Sequence, residues 1–187
     1  MTSPVRAVDL DAVPASPVRV VLALGSNLGD RAATLASAVA ELAAVGGLTV
    51  EDVSGVVETD PVGGPEQGDY LNAVLVATTT LTPHALLTAV QEVETEFGRV
   101  RRVRWGARTL DVDIVVYGDL VCTGERLALP HPRAHERGFV LAPWASLEPD
   151  ALLPGPNGGR VADLAATAAD ATGVRPTDVK LWAGQTR

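Results

Sequence analysis

The order of the apolar segments constrains this chain most. Val18 to Leu24 (V-R-V-V-L-A-L) is β-branched and apolar, the composition of a buried strand. Gly25-Ser26-Asn27-Leu28-Gly29 breaks it, and a helix can run from Asp30 to Ala44 until Gly46-Gly47 stops it. Leu48 to Glu58 reads as a second strand, Pro61 to Gly68 as a Pro/Gly loop, and Tyr70 to Thr80, rich in Val and Thr, as a third strand. Thr82 and Pro83 have the types wanted at an N-cap and first helical position. The helix they open has an apolar face of Leu86, Leu87, Val90, Val93 and Phe97, and Gly98 ends it. Asp111 to Tyr117 is a fourth strand. The order β-α-β-β-α-β is that of a split βαβ. The expected class is therefore α+β, a ferredoxin-like βαββαβ sandwich with helices on one face. Pro130 to Pro143 and a helix near Arg160 to Ala171 are C-terminal additions to it.

Length and composition agree with one domain. The chain has 187 residues, 47% of them hydrophobic, enough for a sizeable core. Residues 1–17 read as a loose N-terminal arm and residues 18–187 as a single domain. One cysteine, Cys122, allows no internal disulfide and fits a reducing compartment. No run reaches the roughly 18 apolar residues of a membrane span. The prolines and acids of the first 17 residues do not suit a signal peptide. The expectation is a cytoplasmic monomer with no membrane partner.

Chemistry concentrates in one segment. Five arginines and a tryptophan lie between Arg99 and Arg108, and Asp111 and Asp113 follow at once (R-V-R-R-V-R-W-G-A-R-T-L-D-V-D-I). The whole chain carries a formal charge of -8. A cation cluster on so acidic a protein suits a small polyanion, whereas a nucleic-acid binder shows a basic face. Two aspartates at i, i+2 on a strand point the same way and can hold Mg²⁺, which commonly arrives with substrate phosphates. Taken singly, the arginines suit a solvated loop, the aspartates a strand start, and Trp105 a hydrophobic anchor. Together they point to a nucleoside triphosphate. Neither a P-loop nor a Rossmann fingerprint is present, so arginine forks must handle the phosphates. Gly25 to Arg31 could meet an anion through backbone N–H groups, or be a tight turn with Asp30 as helix cap.

Four separated motifs, in order, carry a family resemblance. They are L-A-L-G-S-N-L-G-D-R, E-T-D-P-V-G-G-P-E-Q-G-D-Y-L-N-A-V, F-G-R-V-R-R-V-R-W-G-A-R-T-L-D-V-D-I and L-P-H-P-R-A-H-E-R-G-F-V-L-A-P-W. From Val18 to Asp150 the chain resembles 6-hydroxymethyl-7,8-dihydropterin pyrophosphokinases of folate biosynthesis. The resemblance implies a ferredoxin-like fold and transfer of pyrophosphate from ATP to the pterin's hydroxymethyl oxygen, with AMP leaving. It implies that Asp111 and Asp113 ligate two Mg²⁺ ions, and that Arg101 and Arg108 contact the triphosphate from a loop that closes, with Trp105, over the site. Gln91, Glu94, Ile114, Arg126, His131 and Arg137 match nucleotide-site positions. Thr59, Pro61, Val62, Gly63, Tyr70 and Asn72 match a pterin pocket, in which Tyr70 and Phe139 sandwich the ring and Asn72 bonds its edge.

The sequence departs from the family pattern at three points. Asp60 stands where a proline is frequent, Ala128 where a hydroxyl residue is frequent, and Arg101 to Trp105 is one residue shorter than in some members. Two other readings use the same topology. A palm-type nucleotidyl transferase needs a third carboxylate on a neighbouring strand. An RNA-binding module needs aromatics in the central strands and a basic sheet face.

Overall fold

A computed structural model of the chain describes residues 8–61, 67–98 and 109–182. Its elements in order are β1 (Val18–Ser26), α1 (Arg31–Ala44), β2 (Leu48–Val53), β3 (Val57–Thr59), β4 (Tyr70–Thr79), α2 (Pro83–Glu96), β5 (Asp111–Tyr117), β6 (Cys122–Thr123), β7 (Ala128–Leu129), α3 (Gly138–Leu147), β8 (Leu152–Leu153), β9 (Gly159–Arg160), α4 (Val161–Thr167) and β10 (Arg175–Pro176). The main sheet has the order β10-β3-β4-β1-β5, and β2 also pairs with β4. Every pairing in it is antiparallel.

Val20 to Leu24 of β1 and Ala73 to Ala77 of β4 are apolar without interruption because both faces of the sheet are covered. On one face Val20, Leu22, Leu24, Ala73, Leu75 and Ala77 pack under Leu35, Val39 and Leu42 of α1 and Leu86, Val90 and Val93 of α2. On the other, Val21, Val74, Val76 and Val116 pack against Val140, Leu141 and Trp144 of α3 and Val161 of α4. The period-two alternation of a strand thus serves two cores at once. The two helices of the βαββαβ unit, α1 and α2, share one face as expected, and the C-terminal additions α3 and α4 cover the opposite one.

The helix ends follow local chemistry. Asp30 accepts from Ala33 N–H at 3.0 Å and Thr82 from Ala85 N–H at 3.1 Å, each satisfying a donor the first turn leaves open. Gly98, at φ 72°, takes the left-handed conformation beyond the last turn of α2. The turn before α1 is therefore a capped turn. The Asp30 carboxylate occupies the helix end that an anion would have used.

Two segment boundaries differ from the sequence reading. Leu48 to Glu58 is two strands, not one. Ser54 Oγ accepts from Val74 N–H at 2.9 Å, and Asp52 Oδ1 accepts from Val53 N–H at 2.8 Å. Side chains that bond backbone compete with the ladder and break it. The helix expected near Arg160 to Ala171 is confined to Val161–Thr167, and Ala171–Gly173 forms a separate 3-10 turn. Among the described residues no helix is long and apolar enough to cross a membrane.

Candidate active site

A row of residues crosses the sheet at its α3 side. Val57 pairs with Asn72, Asn72 with Gly25, and Gly25 with Asp111. One step along, Thr59 pairs with Tyr70. Asn72, Gly25 and Asp111 continue the alternation of Val74, Ala23 and Asp113, so all face α3, and Thr59 and Tyr70 share that side. Asn72 is buried and donates to Thr59 Oγ1 at 2.8 Å, which fixes the amide's orientation. Tyr70 is half-buried, and its hydroxyl lies 3.4 Å from Gln67 Oε1. Gln67 Oε1 also accepts from Asn27 Nδ2 at 3.0 Å. Gly25 is the floor between these groups. A Cβ there would lie 2.9 Å from Asn72 Oδ1 and 3.9 Å from Tyr70 Cδ1.

Asp111 and Asp113 stand on the same face of β5, half-buried, as the i, i+2 spacing required. A register shift between Val21 and Leu22 then resets the phase of β5. Beyond it Val116 enters the α3 core and Tyr117 the α1/α2 core. The aspartates can thus face the site without putting Tyr117 on the wrong side. Glu94 supports them from α2. It is 2% exposed, and its Oε1 accepts from Val112 N–H at 2.8 Å, satisfying a backbone donor between the two aspartates on the edge strand.

A cationic arm completes the constellation. Arg137, which precedes α3, donates from Nη1 to Asp113 Oδ2 at 3.1 Å. Its guanidinium lies 5.5 Å from the centroid of the Phe139 ring. His131 Nε2 is 3.7 Å from Asp113 Oδ2 and 3.4 Å from Arg137 Nη1. Its backbone N–H donates to Val115 C=O at 2.8 Å, tying it to β5. Burial pushes the His131 pKa below its ordinary value, the nearby Asp113 opposes this, and Arg137 reinforces it. The ring is therefore neutral at pH 7. Its Nδ1 accepts from the Arg133 backbone N–H at 3.2 Å.

Thr59, Tyr70, Asn72, Asp111, Asp113, His131, Arg137 and Phe139 are therefore brought to the α3 side of one end of the sheet. Other expected residues are spread more widely. Ile114 is buried in the α1/α2 core, on the face away from the aspartates, so only its backbone can meet a ligand there. On α2, Gln91 is exposed and Glu94 buried. Arg126 is exposed between β6 and β7, and Pro61 is half-buried beyond β3. Val62, Gly63, Arg101, Trp105 and Arg108 lie outside the described residues. The sequence reading named Gly25 and Arg31 only as the ends of a turn and did not single out Gln67. Arg31 donates to Glu58 Oε1 at 2.9 Å and to Asp69 C=O at 2.8 Å. All three sit inside the quoted motifs, but only long-range pairing shows their use.

The arrangement suits a divalent cation bound together with phosphates. Two carboxylates share a face, and among the described residues no group of three His, Cys, Asp or Glu side chains is placed to hold a metal ion by itself. Mg²⁺ is commonly held this way, with its other ligands from phosphate and water. The alternatives fare worse. Across β1 from Asp111 and Asp113 stand Gly25 and Ala23, where a palm-type enzyme needs a carboxylate. The sheet face that an RNA-binding module would leave open is covered by α3.

Comparison with known proteins adds to this geometry. The family model described as 7,8-dihydro-6-hydroxymethylpterin-pyrophosphokinase (HPPK) matches residues 21–149. The 2-amino-4-hydroxy-6-hydroxymethyldihydropteridine pyrophosphokinase of Bacillus subtilis is 48% identical over 126 residues, covering 67% of this chain and 75% of that protein. That of Methylorubrum extorquens is 45% identical over 137 residues, covering 73% of this chain and 87% of that one. That of Mycobacterium tuberculosis is 45% identical over 145 residues, or 72% and 75% of the two chains. Among solved structures, wild-type Plasmodium falciparum HPPK-DHPS with pterin and p-hydroxybenzoate superposes with a TM-score of 0.63 at 14% identity. The match covers 84% of this chain and 44% of that one, so this chain spans less than half of the malarial protein.

Proposed function

This chain belongs to the 7,8-dihydro-6-hydroxymethylpterin-pyrophosphokinase family, and we propose how its residues divide that reaction between them. The enzyme is an ATP-dependent transferase of folate biosynthesis: it moves pyrophosphate from ATP to 6-hydroxymethyl-7,8-dihydropterin. The hydroxymethyl oxygen bonds to the β-phosphorus of ATP, the bond from that phosphorus to the α-phosphate oxygen breaks, and AMP leaves.

The observation that carries the division of roles is the cross-sheet row of Asn72, Gly25 and Asp111. It sets a polar edge and a flat floor directly beside a dicarboxylate. In our reading the pterin lies on the Gly25 floor. Asn72, oriented by Thr59, bonds its edge, and Tyr70 and Phe139 cover its faces, with Pro61, Val62, Gly63 and Trp105 around it. Asp111 and Asp113 would hold Mg²⁺, two ions in the full assignment, which when bound neutralises charge on the transferring phosphates. Arg137 and His131 lie where nucleotide phosphates would approach Asp113, and Arg101 and Arg108 are assigned to the triphosphate on the resemblance alone. Gln91, Glu94, the Ile114 backbone and Arg126 complete the proposed nucleotide site. The strand order β5-β1-β4-β2 supports describing the core as a ferredoxin-like βαββαβ sandwich with C-terminal additions. We assign residues 18–187 to one domain with residues 1–17 as an arm, acting as a cytoplasmic monomer without nucleic-acid or membrane partners.

Purified protein given Mg²⁺, ATP and 6-hydroxymethyl-7,8-dihydropterin is expected to release AMP only when the pterin is present. Pterin-independent release, or none, would overturn the reading. Tyr70→Ala and Phe139→Ala are each expected to weaken pterin binding by roughly 1–3 kcal/mol, by analogy with base–aromatic stacking. Nucleotide affinity should hardly move. Calorimetric titration with each ligand separately decides this, since equal losses for both would make the rings core, not clamp. Gly25→Ala forces a Cβ towards Asn72 Oδ1 and disturbs its bond to Thr59. It should cost pterin binding roughly 1–2 kcal/mol, the scale of one polar contact. An unchanged pterin Kd in that variant would remove Asn72 from the pocket edge.

A further inference from the structure

We propose that Arg175 and Asp170, which lie beyond the family match, are positioning residues that fix the two walls of the pterin pocket. The inference rests on the pyrophosphokinase reading above. The C-terminal segment binds as an outer strand: Arg175 pairs with Glu58 and Pro176 with Val57, on the strand that ends in Thr59. Thr177 anchors it, since its N–H and its hydroxyl donate to Val56 C=O at 3.0 and 2.9 Å. From there the Arg175 fork reaches two carboxylates. Nη1 donates to Asp60 Oδ1 at 2.8 Å and Nη2 to Asp69 Oδ2 at 2.9 Å. Asp60 directly follows Thr59, and Asp69 directly precedes Tyr70. One guanidinium thus ties together the chain on both sides of the Pro/Gly stretch, at the two points where pocket residues begin. Glu58 adds a third acid, and Arg31 answers it from α1. Without Arg175, three carboxylates would face one cation, and their repulsion would spread this wall.

The same segment holds the opposite wall. The Arg137 side chain makes no cap bond to α3. Asp170 Oδ1 instead accepts from Gly138 N–H at 2.6 Å, an anion at a helix N-terminus. A Cβ on residue 138 would stand 2.7 Å from that oxygen and 3.3 Å from the Ala171 backbone, so glycine is what lets the segment lie there. Arg137 and Phe139 flank this contact. The Arg175 pairs are exposed, with the Asp60 side chain at 70%, so they add little to global stability and act locally on the pocket.

Steady-state kinetics on full-length variants test this, with Arg160→Ala as control because, among the described residues, its guanidinium donates to Pro149 C=O and Asp150 Oδ1 and to no pocket residue. Arg175→Ala should raise KM for the pterin about tenfold, the scale of a small misplacement in a positioned site. Its kcat and KM for ATP should stay within about twofold. Arg175→Lys should recover only part of the loss, because one ammonium lacks the fork that spans two carboxylates. Asp170→Ala should raise the same KM, and Asp170→Asn, which keeps an acceptor oxygen, should restore it. Hydrogen exchange at residues 57–60 and 69–71 should quicken in Arg175→Ala. An unchanged pterin KM, or parallel rises for both substrates with a large fall in Tm, would overturn the proposal. Wild-type protein that makes no AMP would overturn the functional reading and the pterin assignment of the walls. Unchanged exchange would overturn the clamp itself.

Discussion

Asp111→Ala and Asp113→Ala are each expected to abolish AMP formation while leaving a folded protein. Both carboxylates lie on the α3 face at the end of β5, where the strand is only half-buried. Neither is part of a packed core, and Val112 between them keeps its bond to Glu94 in either variant. Asp113 loses its contact with Arg137, a pair whose side chains are 36% and 20% exposed, so the stability cost is small. The catalytic cost is large. Losing a group that holds a phosphate-bridging cation should remove several kcal/mol of transition-state stabilisation, a rate loss of at least ~10³-fold. AMP release measured beside thermal melts separates the two effects. A folded Asp111→Ala enzyme with near-wild-type turnover would end the metal assignment.

Trp144→Ala is expected to have the largest effect on stability. Trp144 is 2% exposed and is the bulkiest of the fully buried side chains among the described residues. It packs in the core formed by Val21, Val74, Val76 and Val116, and its indole N–H donates to Glu148 Oε2 at 3.0 Å. Removing so large a ring leaves a cavity that neighbouring strands cannot fill. The cost should be roughly 3–5 kcal/mol, lowering Tm by about 10 °C for a chain of this size. The same helix starts beside Arg137 and carries Phe139, so pterin affinity should fall before the protein unfolds. Urea denaturation followed by tryptophan-independent circular dichroism checks the first claim. A loss under ~1 kcal/mol would mean that α3 is not fastened by this residue.

Much of the fold was legible in the sequence because the signals were local. The span of β5 was read without error, since Asp111 and Asp113 alternate with apolar residues before the run Ile114 to Tyr117, which Gly118 ends. Asp30 and Thr82 were recognisable as caps because capping needs only a side-chain oxygen and an N–H three residues on. Leu48 to Glu58 misled because β-branched residues recur on both sides of Ser54-Gly55, while the break is fixed there by Ser54 bonding Val74 on another strand. The second helical face was missed for a similar reason. An uninterrupted apolar strand shows that it is buried, but not which element buries each side.

The candidate site divides along the same line. By itself the sequence determined the βαββαβ order, the paired aspartates on one face and the motifs that carry the family. Each of these depends on residue type and short spacing. Tertiary structure alone decided that Gly25 is a floor, that Glu94 supports Val112, that Ile114 faces away, and that Arg175 joins Asp60 to Asp69. Those contacts link residues up to 115 positions apart. No local periodicity encodes them. They arise when burying both faces of the sheet fixes strand order and register, and so brings distant polar groups within hydrogen-bonding reach.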